Sequence, residues 1–284
     1  MKINKDSLKA KANNLAKSLN VSQNVIYNRF FYDAFLSRLS KSEYRDKFIL
    51  KGGLYLSCVL GIETRSTMDI DFYLKKMNLK KEMVLNAIKG ILSIDTNDDI
   101  QFEITNIGNI REEDQYGGFQ ITLQGKLENV RCQFGIDIAT GDPIIPSEKN
   151  YDYKCLVTGE ILQMKAYSLE TVVSEKLETI LSRGIFNSRS KDYYDLYILW
   201  GLQNTYLNKE TLILAFKETC KYRKFEMNKD EAKELIEEIK NNEQINKRWE
   251  NYCNTVGYTK NLDFMQVIGK IEELIDFIFA NWFL

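Results

Sequence analysis

The stretch KGGLYLSCVLGIETRSTMDIDFYL, residues 51–74, constrains the fold more than any other part of the chain. Residues 46–50 (DKFIL) read as a short strand that stops at Lys51-Gly52-Gly53. Leu54, Tyr55, Leu56, Cys58, Val59 and Leu60 then make an apolar run of about two helical turns, with Gly61 placed as its C-cap. From Met68 to Leu74 the residues alternate with period two, the pattern of a half-buried strand. Alternation puts Asp69 and Asp71 on one face and Met68, Ile70 and Phe72 on the other. The two carboxylates then sit ~7 Å apart along the strand. Something positive is expected between them.

Composition narrows the chemistry. With 284 residues, 44 % of them apolar and 28 % charged, a sizeable core is within reach. The formal net charge is −1, so any contact with nucleic acid must come from local patches. The five cysteines are scattered and never in a CxxC pair, which argues against a disulfide framework or zinc cluster and favours a reducing cytoplasm. The basic start lacks the apolar stretch of a signal peptide, and no apolar run approaches a membrane span, so no membrane association is expected. There is no histidine. Ser-His-Asp and Cys-His catalysis, HExxH zinc sites and a histidine general base are excluded. Carboxylates, Lys, Arg, Tyr, Ser or Thr must carry any catalysis.

The chain reads as three segments of one α+β architecture. Residues 1–45 are N-terminal helices expected to pack on the core. Residues 46–165 are a mixed-sheet core with strands at KFIL, MDIDFYL, IQFEITNI, GFQITLQG, VRCQFGIDIAT and GEILQMKAY, interrupted by a helix over 80–92. Residues 166–284 are helical, with Lys/Glu-rich faces. In VRCQFGIDIAT the alternation sets Asp137 on the face opposite Cys132, Phe134, Ile136 and Ile138. If the two acidic strands are neighbours, Asp69, Asp71 and Asp137 converge on an anionic site. Such a site suits Mg²⁺, with Mn²⁺ as an alternative, because hard cations take carboxylate oxygens together with water and substrate phosphates.

A strand, Gly-Gly, a short helix and an Asp-x-Asp strand together resemble the minimal nucleotidyltransferase fold of the polymerase-β type. With EKLETILSRG and RSKDYYDLYIL downstream, the chain is identified as a member of the AbiEii/AbiGii family of nucleotidyltransferase toxins, over most of residues 25–200. The broader superfamily usually has Gly-Ser where this chain has Gly52-Gly53, so backbone N–H groups at the helix start are left to meet phosphate. The resemblance implies a toxin of a type IV toxin–antitoxin, abortive-infection pair active in phage defence. It would move a nucleoside monophosphate from an NTP to an acceptor, expected to be the 3′ end of tRNA or another RNA. A cognate antitoxin, a helix-turn-helix repressor encoded nearby that needs no stable complex, is the implied partner. A nucleotidyltransferase acting on a protein or small molecule, and a silent nucleotide-binding member, are the alternatives.

Phosphoryl-type transfer asks the protein for metal ligands, positioning and positive charge. Asp69, Asp71 and Asp137 are the expected metal ligands, with Gly52, Gly53, Arg65, Ser66 and Thr67 at the nucleotide phosphates. In the helix from Ser168, Lys176 and Arg183 lie seven residues apart on one flank and can face one site. By family position, Lys176 contacts the phosphates and Asp192 is an essential polar residue of the site. A structural ion pair is expected between Asp195 and Arg183, a solvated face at Lys217, Lys221, Arg223 and Lys224, and core packing for FIFANWF.

Overall fold

The computed structural model describes residues 3–110, 117–202, 204–259 and 262–282. The chain divides into two compact units. The first holds residues 1–141 and 148–166, the second residues 142–147 and 167–284.

The first unit is a seven-stranded mixed sheet with helices on its apolar face. The strands are β1 (Phe48–Lys51), β2 (Asp69–Leu74), β3 (Gln101–Ile110), β4 (Gly118–Leu127), β5 (Val130–Ala139), β6 (Lys149–Lys154) and β7 (Ile161–Ala166), in the order β3-β4-β5-β2-β1-β7-β6. β2 pairs with β5, and β1 with β7, in parallel; the other pairs are antiparallel. Along β2 the residues alternate between half-buried and buried, with Ile70, Phe72 and Leu74 turned into the core. β6 has no counterpart in the sequence reading. As an edge strand it buries Tyr153 and leaves Lys149, Asn150, Asp152 and Lys154 exposed, so KNYDYK has too little apolar contrast to stand out.

Helix α1 (Lys5–Ser18) and helix α2 (Gln23–Lys41) fill most of the first segment, and their side-chain caps are Asn4 and Ser22. From Arg29 to Leu39, α2 is buried on all sides, as a helix running through a core must be. Tyr32 meets Phe134 with ring centroids 4.9 Å apart, and Phe35 meets Phe72 at 6.3 Å. Charged residues on such a helix need partners. Arg29 pairs with Asp33 at 3.1 Å, and Asp33 also accepts from the Tyr153 hydroxyl at 2.5 Å and from Leu156 N–H at 2.7 Å. Arg38 grips Asp98 through two bonds of 2.7 Å each. Helix α3 (Gly52–Leu60) follows β1 directly and closes at Gly61 with φ +92°, and α4 (Lys81–Leu92) packs on α2.

The second unit is helical: α5 (Leu169–Arg183), α6 (Ser190–Leu196), α7 (Lys209–Arg223), α8 (Lys229–Asn241), α9 (Glu243–Thr255) and α10 (Phe264–Ala280). The run DYYDLYILWG does not continue as one α-helix; from Tyr197 to Leu202 it widens into a π-helical turn. α10 supplies the apolar centre with Phe264, Val267, Ile268, Ile271, Leu274, Ile275 and Ile278. Residues 142–147 are tied to this unit by hydrogen bonds. The Ser168 hydroxyl donates to Ile145 O at 2.5 Å, Ile145 N–H donates to the Thr171 hydroxyl at 3.0 Å, and Arg223 holds Asp142 at 3.0 Å.

Two expectations change here. Arg223 is no part of a solvated basic face: it sits in an ion cluster with Asp142, Glu175 and Glu178. Met68 precedes β2 and is 64 % exposed rather than packed with Ile70 and Phe72. The aromatic tail does pack, with Trp200 against Phe277 at 5.1 Å and Phe216 against Trp282 at 5.8 Å; Phe283 lies outside the described residues. Among the described residues, no helix is long and apolar enough to cross a membrane.

Candidate active site

Strand register assembles a row of polar residues across the first unit. β2 and β5 are neighbours, and Asp71 stands directly beside Asp137. Asp71 is opposite Lys51 on β1, and Asp137 is opposite Gln120 on β4. Directly paired residues share a face. The row therefore reads Lys51, Asp71, Asp137, Gln120, with Asp69 two residues along β2. Neighbouring strands are ~4.8 Å apart, which brings the Asp71 and Asp137 carboxylates within reach of one small cation. Gln120 Nε2 donates to Asp137 Oδ1 at 2.8 Å and fixes that side chain.

The glycines make room for these carboxylates. Gly52 has φ +64°, and a Cβ there would run into the Asp71 carboxylate. Asp71 Oδ2 accepts the Gly53 N–H at 3.2 Å, so an acid from the adjacent strand caps the start of α3, where Lys51 makes no side-chain cap. The Gly53 N–H is thus already engaged, and the phosphate-binding role expected of this helix start falls on fewer backbone groups. A Cβ on Gly53 would lie 2.6 Å from Thr67 Oγ1, so a Thr67 hydroxyl stands where a residue-53 side chain would go. Arg65 is buried, donates to the carbonyl of Ser66, and brings Nη2 to 3.4 Å from the same Cβ position. Gly135 leaves space for Asp69, whose Oδ1 would be 2.9 Å from a Cβ added there.

Neither Lys51 nor Gln120 stood out in the sequence. Each is one polar residue at a strand end or in an alternating strand, and only pairing register brings them into line with the aspartates. Gly135 did leave a signal, since a glycine inside a strand often marks close approach by another group.

Among the described residues, no three Asp, Glu or Cys side chains form a ready-made cage for a metal ion. The donor set is an in-register pair of carboxylates with a third nearby. That set fits Mg²⁺, which is usually held by one or two carboxylates together with substrate phosphates and water.

A second cluster lies within the helical unit. Lys176 on α5 reaches Asp192 at 2.5 Å and Asp195 at 2.8 Å, both on α6. Asp192 and Asp195 are 1 % and 0 % exposed. Arg189 meets the other Asp192 oxygen at 3.2 Å. Burial by itself would discharge Lys176, but the charges of Asp192 and Asp195 outweigh it and hold the ammonium above the ordinary lysine range. An ammonium has three donors, and two of them go to these aspartates. The expected Asp195–Arg183 pair is absent: Asp195 pairs with Lys176, while Arg183 is exposed at the last turn of α5. Lys176 reaches inward to α6, whereas Arg183 leaves the helix where α5 ends.

The seven-stranded mixed sheet, its acid-bearing face and its glycine helix start make up an α+β nucleotidyltransferase core. The chain belongs to the family described as nucleotidyl transferase AbiEii toxin, type IV toxin–antitoxin system, whose sequence model matches residues 34–270. JHP933 from Helicobacter pylori shares this fold at 16 % identity and a TM-score of 0.50, with 92 % of this chain and 94 % of that chain covered. A second H. pylori structure, named as a candidate nucleotidyltransferase, aligns at 16 % identity and a TM-score of 0.48 over 92 % of this chain and 97 % of that one. No curated protein matches the sequence.

Proposed function

We propose that this chain is the toxin of a type IV abortive-infection pair active in phage defence in the cytoplasm, and that it moves a nucleoside monophosphate from an NTP to the 3′ hydroxyl of tRNA or another RNA. The reading rests on the in-register Asp71–Asp137 pair beside the Gly52-Gly53 helix start. In the reaction the 3′ oxygen bonds to the α-phosphorus, the bond to the β-phosphate oxygen breaks, and pyrophosphate leaves. Asp69, Asp71 and Asp137 would hold Mg²⁺, which supplies charge neutralisation at the triphosphate. Asp137, steadied by Gln120, takes the proton of the attacking hydroxyl. Thr67, Ser66 and Arg65 line the approach to the Gly-Gly turn and bind phosphate oxygens.

Residues of the helical unit are proposed to take part as well. An NTP brings about four negative charges to a face that already carries three aspartates, and Lys51 in the same row offsets them only in part. Lys176 serves the phosphates, Asp192 keeps it charged and oriented, and Arg183 at the end of α5 adds exposed positive charge. The family also implies an antitoxin partner; the proposed form is a nearby helix-turn-helix repressor acting without a stable complex.

The test incubates the protein with each labelled NTP, Mg²⁺ and total cellular RNA. Label at RNA 3′ ends, lost in Asp71→Asn and Asp137→Asn proteins that stay folded, is the expected result. Label on protein or on a small molecule would move the acceptor to another class. Nucleotide-dependent thermal stabilisation with no transfer would make the chain a silent binder. Expression of the wild-type chain should slow bacterial growth, and Asp69→Asn or Asp71→Asn should relieve it; persistent toxicity in soluble Asp71→Asn protein refutes the assignment.

A further inference from the structure

The loop before α6 and one side of α9 flank an open, shallow cleft within the helical unit, of the kind a backbone group can lie across. Arg189, Lys191 and Arg248 line it together with Ser188, Ser190 and Asn251, and no carboxylate does. With Arg189 partly neutralised by Asp192, Lys191 and Arg248 still leave a local positive field on a chain whose formal net charge is −1.

The three cations differ in their engagement. Arg189 is committed on one side to Asp192. Among the described residues, no carboxylate pairs with Lys191 or Arg248. Arg248 Nη1 is also buried with no hydrogen-bond acceptor. A buried donor left unmade costs free energy, and a charged one costs more, so a small shift of this half-buried guanidinium toward an anion in the cleft would be favoured. The hydroxyls of Ser188 and Ser190 and the amide of Asn251 add neutral donors to the same lining.

We infer that this cleft seats a backbone phosphate of the acceptor RNA, an assignment that rests on RNA being the acceptor. Arg189 carries the argument from charge to function. It lines the cleft and also grips Asp192, which in turn holds Lys176. An RNA phosphate here is one side chain away from the Lys176–Asp192 pair and positions the strand in register. Arg248 and Lys191 act as positioning residues; they touch the backbone and carry no base specificity.

Binding of total tRNA is measured by fluorescence anisotropy over a salt series for the wild-type protein, Arg248→Gln, Lys191→Gln and Arg248→Lys. Each lost phosphate contact should lower the slope of log affinity against log salt by about 0.7–0.9. Arg248→Gln and Lys191→Gln should therefore show a shallower slope and roughly tenfold weaker binding at low salt, while Arg248→Lys keeps the slope. A merely structural role would not move the slope. Melting followed by tryptophan emission checks that each variant is folded. Unchanged slopes in both Gln variants, with wild-type protein still labelling RNA, would overturn the cleft assignment and leave the transferase reading intact. Altered NTP affinity with an unchanged RNA slope would also overturn it, because the cleft would then belong to a free nucleotide. Label on protein instead of RNA would remove the premise itself.

Discussion

Replacing Lys176 by alanine isolates the buried charge cluster of the helical unit. Asp192 and Asp195 are essentially inaccessible to water, and Lys176 is the cation that meets both. Arg189 touches Asp192 but is half-exposed and does not meet Asp195, so it compensates only in part. Removing one partner of a buried ion pair costs about 3–5 kcal/mol, because the remaining charge stays desolvated. For a unit of this size that loss lowers the melting temperature by roughly 10–20 °C. All three tryptophans of the chain, Trp200, Trp249 and Trp282, lie in this unit, so their emission reports its unfolding without interference from the sheet. The sign of the Lys176 contribution follows from its raised value, and neutralising the acids distinguishes a charge effect from lost packing. In the wild-type protein the raised Lys176 value means that its contribution is complete below the ordinary lysine range and fades only as pH rises through the folded value. Between pH 5 and 8 its stabilisation is flat. In Lys176→Ala the two buried carboxylates are left without the cation that meets both, so the loss is one of charge compensation rather than of packing volume. Adding Asp192→Asn and Asp195→Asn should return most of the loss at pH 7.5, as neutralising every member does. A melting temperature for Lys176→Ala within a degree or two of wild type, or no recovery in the triple variant, would refute this account of the cluster.

Three further outcomes follow from the sheet unit. Gly52→Ala should lose soluble yield or melt well below wild type, since φ +64° strains any side chain by about 1–3 kcal/mol and the new methyl collides with Asp71; normal stability and transfer would show the turn to be adaptable. Gly53→Ser should lower the melting temperature by crowding Thr67, and Thr67→Gly in the same chain should recover it, which melting of the single and double variants would reveal. Burial would raise Asp98, but Arg38, Ile100 N–H and Thr96 outweigh it and hold its carboxyl below the ordinary aspartate range. Its stabilisation is thus present above about pH 4 and lost as pH falls through the folded value. Asp98→Asn should cost about 3 kcal/mol in urea unfolding at pH 7, with the difference shrinking below pH 4.

The sequence carried the central motif because its signals are local. Two glycines, a short apolar run and a period-two strand specify β1, α3 and β2 within 30 residues of chain. Asp137 was legible by the same alternation, although its partnership with Asp71 depended on β2 lying beside β5. What escaped was whatever depends on pairing. Lys51 and Gln120 join the row only through register, and Asp195 could not be matched to Lys176 without knowing how α5 meets α6. β6 was silent because an edge strand with one buried tyrosine has little hydrophobic contrast. The π-helical turn after Leu196 likewise left no mark, since YILWGL fits an α-helix on propensity alone.

The strand order has a consequence for the order of synthesis. β1 sits between β2, made soon after it, and β7, which ends at Ala166. While the intervening chain is being translated, β1 remains an edge with the apolar Phe48-Ile49-Leu50 segment unpaired on one side. At ordinary elongation rates this lasts roughly 10 s. An open apolar edge is a template for pairing with another chain. Ribosome-bound chains arrested at residue 141 should therefore be more protease-sensitive and more chaperone-bound than chains arrested after residue 166 has emerged. Equal protection at the two lengths would mean that β1 is shielded by other parts of the nascent chain.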